Sequence, residues 1–378
     1  VSSPWFACKN ILLVRLDNLG DVLLTTPAFR AVKTSVPQAR LTLLASPVGA
    51  QIKEFDPDLD DVIVYQAPWM DPWHKRPQDS QYEQQMISLL RERHFDGAII
   101  FTSFRQSALP SAYLCYLADI PLRAAASIDG PGSLLTMRHK HPEQMMHEVE
   151  RGLDLVGALD MACDEKDMVL QVPSTARENL RQRLAAFELD PTHPLIVVHP
   201  GCSMPARTYP WEMYAEVISL LVRQLQASVI VTGMEDERPL VENILNHVPV
   251  GQRDAVYALA GVLPFTEFCA LIQHADLTIT NNTGPMHVSA AVKTPVVALF
   301  ALTNPPEQWG PWHVPHQQLY HEVSCRLCYQ RICPYQHECL RLVSPQMVVD
   351  AAQSLLNSSP STPSEDVNSD WLSAGEVQ

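Results

Sequence analysis

No stretch of this 378-residue chain approaches the roughly 20 consecutive apolar residues that a membrane-spanning helix needs. Direct insertion is therefore not expected, while peripheral contact with a membrane stays compatible. The start, VSSPWFACKN, shows no charged segment followed by an apolar stretch and a small-residue cleavage site, so a cytoplasmic location is expected. Positive charge is scarce. The chain has 27 Lys and Arg against 42 Asp and Glu, a formal net charge of −15. A nucleic-acid partner wants a basic face, so that class is set aside, although a local basic patch toward anionic lipid or phosphosugar is not. No G-x-G-x-x-G follows any apolar run, which argues against an NAD-dependent dehydrogenase.

Length exceeds what one core usually serves, so two domains are the starting expectation. The nine cysteines are an odd number. Cys8, Cys115, Cys163, Cys202 and Cys269 are scattered among apolar residues and read as buried thiols. Cys325, Cys328, Cys333 and Cys339 cluster as C-x2-C-x4-C-x5-C. That run is compact enough for a zinc ion or an iron–sulfur cluster in a reducing cytosol, and two disulfides or free thiols fit it as well. His139, His141 and His147 share no helical face, and we read them as solvated loop histidines.

Apolar runs without alternation, such as NILLVRL at 10–16, predict parallel strands covered on both faces. The next strands are expected at 41–45, 62–65, 97–101 and 123–126, with helices at 22–34, 82–93 and 148–159. A helix at 105–118 is expected to be interrupted at Pro110, 130–147 to be loop-like at first, and the Trp- and Pro-rich 69–81 to be an exposed loop. A second series of strands falls at 195–198, 229–232, 277–280 and 296–300, with another short strand ending at 259–261, helices between them and a last helix at 345–356. From Ser358 the tail is Ser, Pro and acid without Lys or Arg, and disorder is expected. We place domains at 1–173 and 174–344, followed by a C-terminal helix at 345–357 and a tail at 358–378. Strands alternate with helices in both halves, so the fold class is α/β, two doubly wound Rossmann-like domains with their Gly-bearing turns along one cleft.

The segment 276–300 is strand, polar turn, helix and strand. Asn281–Asn282–Thr283–Gly284 is turn chemistry, and Pro285 suits a first helical turn. A helix N-terminus beyond a strand end is a natural diphosphate site, with Gly284 letting an anion approach and Thr283 and His287 adding donors. An ordinary capped turn is the plainer reading.

Four stretches together resemble glycosyltransferase family 9, the lipopolysaccharide heptosyltransferase family: ILLVRLDNLGDVLLTTPAFRAVK (11–33), HPGCSMPARTYPWEMYAEV (199–217), TGMEDER (232–238) and TNNTGPMHVSAA (280–291). CRLCYQRICPYQHECL is similar to the C-terminal region of some members. The resemblance implies a GT-B fold with the acceptor side N-terminal, the nucleotide-sugar side C-terminal, and the last helix packing back on the first domain. It implies an inverting transfer of a heptose or related sugar from a nucleotide sugar, ADP-linked, to a lipid-linked or cell-envelope saccharide, with no cofactor required for catalysis. It makes Asp21, after Gly20, the base, against the alternative of a helix-capping Asp. It sets Arg207 on the donor phosphates, with Ser203 and the turn Thr283, Gly284, Pro285, Met286 and His287, and offers Glu235 or Glu237 to the ribose. Many members carry Asp where this chain has Asn282, which removes a charge. Arg105, in the segment TSFRQS, is expected on the acceptor side. A nucleotide-sugar epimerase of the same architecture and a non-catalytic nucleotide-sugar binder with a Cys-held metal are the competing expectations.

Overall fold

The computed structural model describes residues 3–70, 79–130 and 133–358. Two six-stranded parallel sheets account for its strands. Contact clustering divides the chain into one unit of Val1–Gln171 with Glu307–Trp312, and a second of Val172–Pro306 with His313–Gln378. The division falls at 171/172, and the six-residue excursion at 307–312 is a feature that the linear sequence reading did not contain.

The first unit runs β1 (Asn10–Arg15), α1 (Leu19–Ser35), β2 (Arg40–Ala45), β3 (Asp61–Val64), α2 (Ser80–Glu92), β4 (Gly97–Ile100), α3 (Leu109–Leu117), β5 (Leu122–Ala126), β6 (Met137–His139) and α4 (Glu148–Gly157). The second runs α5 (Ser174–Leu184), β7 (Leu195–His199), α6 (Trp211–Leu225), β8 (Ser228–Val231), α7 (Arg238–His247), β9 (Val256–Ala258), α8 (Phe265–His274), β10 (Leu277–Asn281), α9 (Gly284–Ala291) and β11 (Val296–Leu299). After α10 (Pro306–Trp309) it continues with β12 (His316–Leu319), α11 (Glu338–Arg341) and α12 (Pro345–Ser358).

The sheet orders are β3-β2-β1-β4-β5-β6 and β12-β11-β10-β7-β8-β9. Read from opposite edges they are the same order. In each, the first strand sits centrally and the chain reverses direction across the sheet beside it. That switch point, where crevices open beyond strand carboxyl ends, lies between β1 and β4 in one unit and between β7 and β10 in the other. Central strands β4, β7, β8, β10 and β11 are buried at every residue, as helices on both faces require.

Several expectations needed correction. Helix α1 begins at Leu19, so Pro27 sits mid-helix. Proline there removes the N–H that would reach the Leu23 carbonyl, and the Thr26 hydroxyl donates to that oxygen instead, at 2.8 Å. Pro110 does not interrupt a helix but opens α3 at its first turn. The region 130–147 contains the edge strand β6, and β12 was not anticipated, because neither MRH nor HQQL carries an apolar run. The last helix belongs to the second unit. Its face of Val348, Val349, Ala352 and Leu355 lies in the second unit's core with Val217, Ile218 and Leu221 of α6. Most of the expected 69–81 loop, and the expected tail beyond Ser358, lie outside the described residues. Among the described residues, no helix is long and apolar enough to cross a membrane.

Candidate active site

In the first unit the switch point gathers charge. Asp21 is the third residue of α1. Its Oδ2 accepts the Asn18 amide at 3.2 Å, the reciprocal half of a capping box. Asp21 therefore helps cap its own helix through this one oxygen. Its other oxygen, Oδ1, accepts the Ser103 hydroxyl at 3.3 Å from the segment after β4, and lies 3.5 Å from the Arg15 guanidinium. Arg15 ends the buried strand β1 and is 3% exposed. It donates to Ser103 at 2.8 Å and pairs with Asp17 at 3.0 Å and Glu148 at 3.8 Å. Burial alone pulls this guanidinium down. The carboxylates of Asp17, Asp21 and Glu148 outweigh it and hold the charge. Burial pushes the Glu148 carboxyl up, opposed by Arg15, Arg151 and the Gln308 amide. Gln106 closes the constellation, donating to Asp17 at 2.5 Å and accepting the Ser103 amide at 3.1 Å. A small recess beside these groups, about 10 Å³ in volume, is lined by Arg15, Thr25, Phe101, His141, Glu148 and Arg151 among others.

The sequence reading named Asp21 but not Arg15, Ser103, Gln106 or Glu148. A signal existed for Arg15, as an arginine inside an apolar strand run must find anions when buried. Glu148 gave none, being one acid among several at a helix start. Arg105 is exposed at a left-handed backbone position, φ 72°, three residues after Thr102. Gly20 is buried in the first turn of α1.

The second unit's switch point brings Arg207 to the turn before α9. Arg207 Nε donates to the Thr303 hydroxyl at 2.9 Å, and its Nη1 reaches the Asn282 carbonyl at 3.5 Å. The Thr283 hydroxyl turns toward the Cys202 thiol, which burial pushes up. Gly284 opens α9, and a Cβ built there meets nothing within 4 Å. Open space over a helix-opening glycine lets a ligand reach backbone N–H groups that have no helical partner. Met286 and His287 are 1% and 7% exposed, so what they bring to this turn is backbone, and the expected imidazole donor faces inward.

Asn282 is likewise turned inward. Its Oδ1 accepts the Ala301 amide at 3.2 Å and its Nδ2 donates to Asn304 at 3.1 Å. An aspartate there has no proton for Asn304 and buries a charge, so the amide is what this interior accommodates. Asn281 works similarly, accepting from the Tyr209 amide at 3.0 Å and donating to the Pro200 carbonyl at 2.8 Å.

Of the two acids, Glu235 is exposed and pairs with Arg238 at 3.0 Å. Glu237 accepts the Met234 amide at 2.7 Å and sits so close to Gly201 that a Cβ there meets its carboxyl at 2.1 Å. Glu237 thus ties the turns after β7 and β8 together. Ser203 is exposed in the same turn region. His199, buried beneath, is 3.7 Å from Glu237, yet burial lowers it to about 4 and keeps it neutral.

All nine cysteines are thiols, so the two-disulfide alternative for the C-terminal run is not realised. Cys333 Sγ accepts the Tyr335 and His337 amides at 3.4 and 3.2 Å. Burial, and then the neighbouring thiols Cys333, Cys325 and Cys328, push Cys339 up. The three histidines are not solvated. His147 caps α4 through Nδ1 and stacks on Trp312 at 4.6 Å, while His139 and His141 both meet Asp154.

Two parallel α/β units of the same strand order are the architecture of the GT-B fold. A family model for glycosyltransferase family 9 (heptosyltransferase) matches residues 84–338, and the chain belongs to that family. It is a glycosyltransferase. It is 26% identical over 353 residues to lipooligosaccharide heptosyltransferase 2 of Campylobacter jejuni, covering 90% of this chain and 96% of that one. Among solved structures, a family 9 glycosyltransferase from Veillonella parvula superposes with a TM-score of 0.79 at 21% identity, covering 93% of this chain and 98% of the other. The ADP-heptose lps heptosyltransferase II of E. coli superposes with a TM-score of 0.72 at 22% identity, covering 92% and 98%.

Proposed function

We propose that the protein transfers a heptose from ADP-heptose to a lipopolysaccharide-core saccharide, with inversion, at the cytoplasmic face of a membrane. The names of its relatives supply donor and acceptor. The observation that carries the reading is the turn before α9, where open space over Gly284 adjoins the Arg207 guanidinium.

In this reading Asp21 takes the proton from the acceptor hydroxyl. Oδ1, bonded to Ser103 and near Arg15, is the oxygen whose lone pairs those donors orient. Arg207 and the first amides of α9 stabilise the leaving diphosphate, as a fork-shaped cation and a helix N-terminus do for phosphate oxygens. Arg105 lies toward the acceptor.

ADP release from ADP-heptose in the presence of a heptose-deficient core acceptor tests this. Release only with acceptor supports transfer, whereas an altered sugar formed without acceptor supports an epimerase and removes this reading. We also propose that Cys325, Cys328, Cys333 and Cys339 hold a structural metal. The N–H donors on Cys333 Sγ suit a thiolate ligand. Loss of thermal stability on chelation, absent in a Cys328→Ser chain, is the check.

A further inference from the structure

We propose that His139, His141 and Asp154 form a binding site for a borderline divalent cation of the zinc type, within the first unit and separate from the C-terminal cysteines. His139 ends the edge strand β6 and His141 follows two residues on, the spacing that places side chains on one face of an extended segment. Asp154 comes from α4. The structure brings His139 Nε2 to 2.5 Å and His141 Nδ1 to 2.6 Å from the same oxygen, Asp154 Oδ2. One ligand atom from each residue lies within 4.8 Å of the others, the one such group of His, Cys, Asp or Glu among the described residues.

The donor set selects the ion. Two imidazole nitrogens and a carboxylate oxygen suit zinc, iron(II) or manganese rather than magnesium or calcium, and three protein ligands leave a coordination position open. In the ion-free form both rings donate to Oδ2. With metal–ligand bonds near 2.1 Å, a tetrahedral site holds its ligand atoms about 3.3 Å apart. Each imidazole nitrogen therefore needs to part from Asp154 Oδ2 by under about 1 Å to admit an ion.

Burial pulls His141 toward its neutral form. Burial raises Asp154, but its bonds to the two imidazoles outweigh this and hold it ionised. The cation facing the site, Arg151, is engaged by Glu148 at 3.1 Å. The side chains of His139, His141 and Asp154 are 17%, 13% and 26% exposed, which leaves a path for an ion.

An ion there fastens β6, which has β5 as its one sheet neighbour, to the helix that carries Glu148. His141 also lines the recess beside Arg15.

The test uses the full chain, stripped by chelator, in a Cys325→Ser/Cys328→Ser background that removes the other candidate site. Zn2+ is titrated calorimetrically, with circular dichroism as the folding control. The expected result is one equivalent of Zn2+ per chain, weakened at least tenfold by His141→Gln and by Asp154→Asn at unchanged secondary structure. Co2+ in its place should give no thiolate-to-cobalt charge-transfer band, and Mg2+ should not compete. No Zn2+ bound in the Cys-substituted chain, or equal binding after both His141→Gln and Asp154→Asn, overturns the proposal. Transfer activity is not read, so the outcome is independent of the proposed reaction.

Discussion

The β1–α1 and β10–α9 turns share one topology and opposite chemistry. Both lie at a switch point of the same strand order, and both start a helix. The first is built on buried charge, with Arg15 among Asp17, Asp21 and Glu148. The second is built on buried neutral groups, with Asn281, Asn282 and a His199 that burial keeps uncharged. An acid at the third position of a helix is favoured by the dipole, and the capping box orients the Asp21 carboxylate in the first turn. A turn that keeps its helix N-terminus clear of acids leaves the dipole for an incoming anion. A strand-to-helix turn thus serves, in our proposal, a proton acceptor in one unit and a diphosphate in the other.

This contrast can be broken from either side. Asp21→Ala should have the largest effect, lowering transfer about a thousandfold in steady-state assays while nucleotide binding is unchanged. Arg15→Met should follow, leaving buried carboxylates unpaired and lowering unfolding free energy by about 3–5 kcal/mol in denaturant titration. Arg207→Lys, which keeps the positive charge beside the second turn, comes next. It should lower transfer roughly thirtyfold, about 2 kcal/mol, because an ammonium does not reproduce the planar fork.

Gly284→Ala should fold normally, since the new methyl meets open space, yet weaken ADP about tenfold by occupying the ligand's approach. A further expectation is a pH slope in stability. His199 is lowered from 6.5 to about 4 in the folded protein, so the unfolded chain binds the extra proton between those values. Stability is therefore full above 6.5 and falls with acidification by up to about 1.4 kcal/mol per pH unit. His199→Asn should flatten that slope in thermal melts taken across the same range.

The sequence disclosed the central strands well, because parallel strands covered on both faces favour unbroken apolar runs such as the LIVV of β7 and the VVAL of β11. Edge strands β6 and β12 went unread, since one neighbour and a solvated side permit MRH and HQQL. Asp21, Arg207 and the Thr283–His287 turn were visible as motif positions. What those positions touch was not. Ser103 reaches Asp21 from 82 residues away, and Asn282 is turned inward by Asn304, contacts that no local pattern encodes. His139 and His141 were misread because a helical period was applied to residues that the chain places at a strand end.

The central claim is that proton acceptance and diphosphate binding are divided between the two turns. Calorimetric titration of ADP into wild-type, Asp21→Ala and Arg207→Ala chains tests it most directly. The account predicts equal affinity for the first two and a loss of at least tenfold for the third. Undiminished ADP affinity in Arg207→Ala, or a comparable loss in Asp21→Ala, contradicts it.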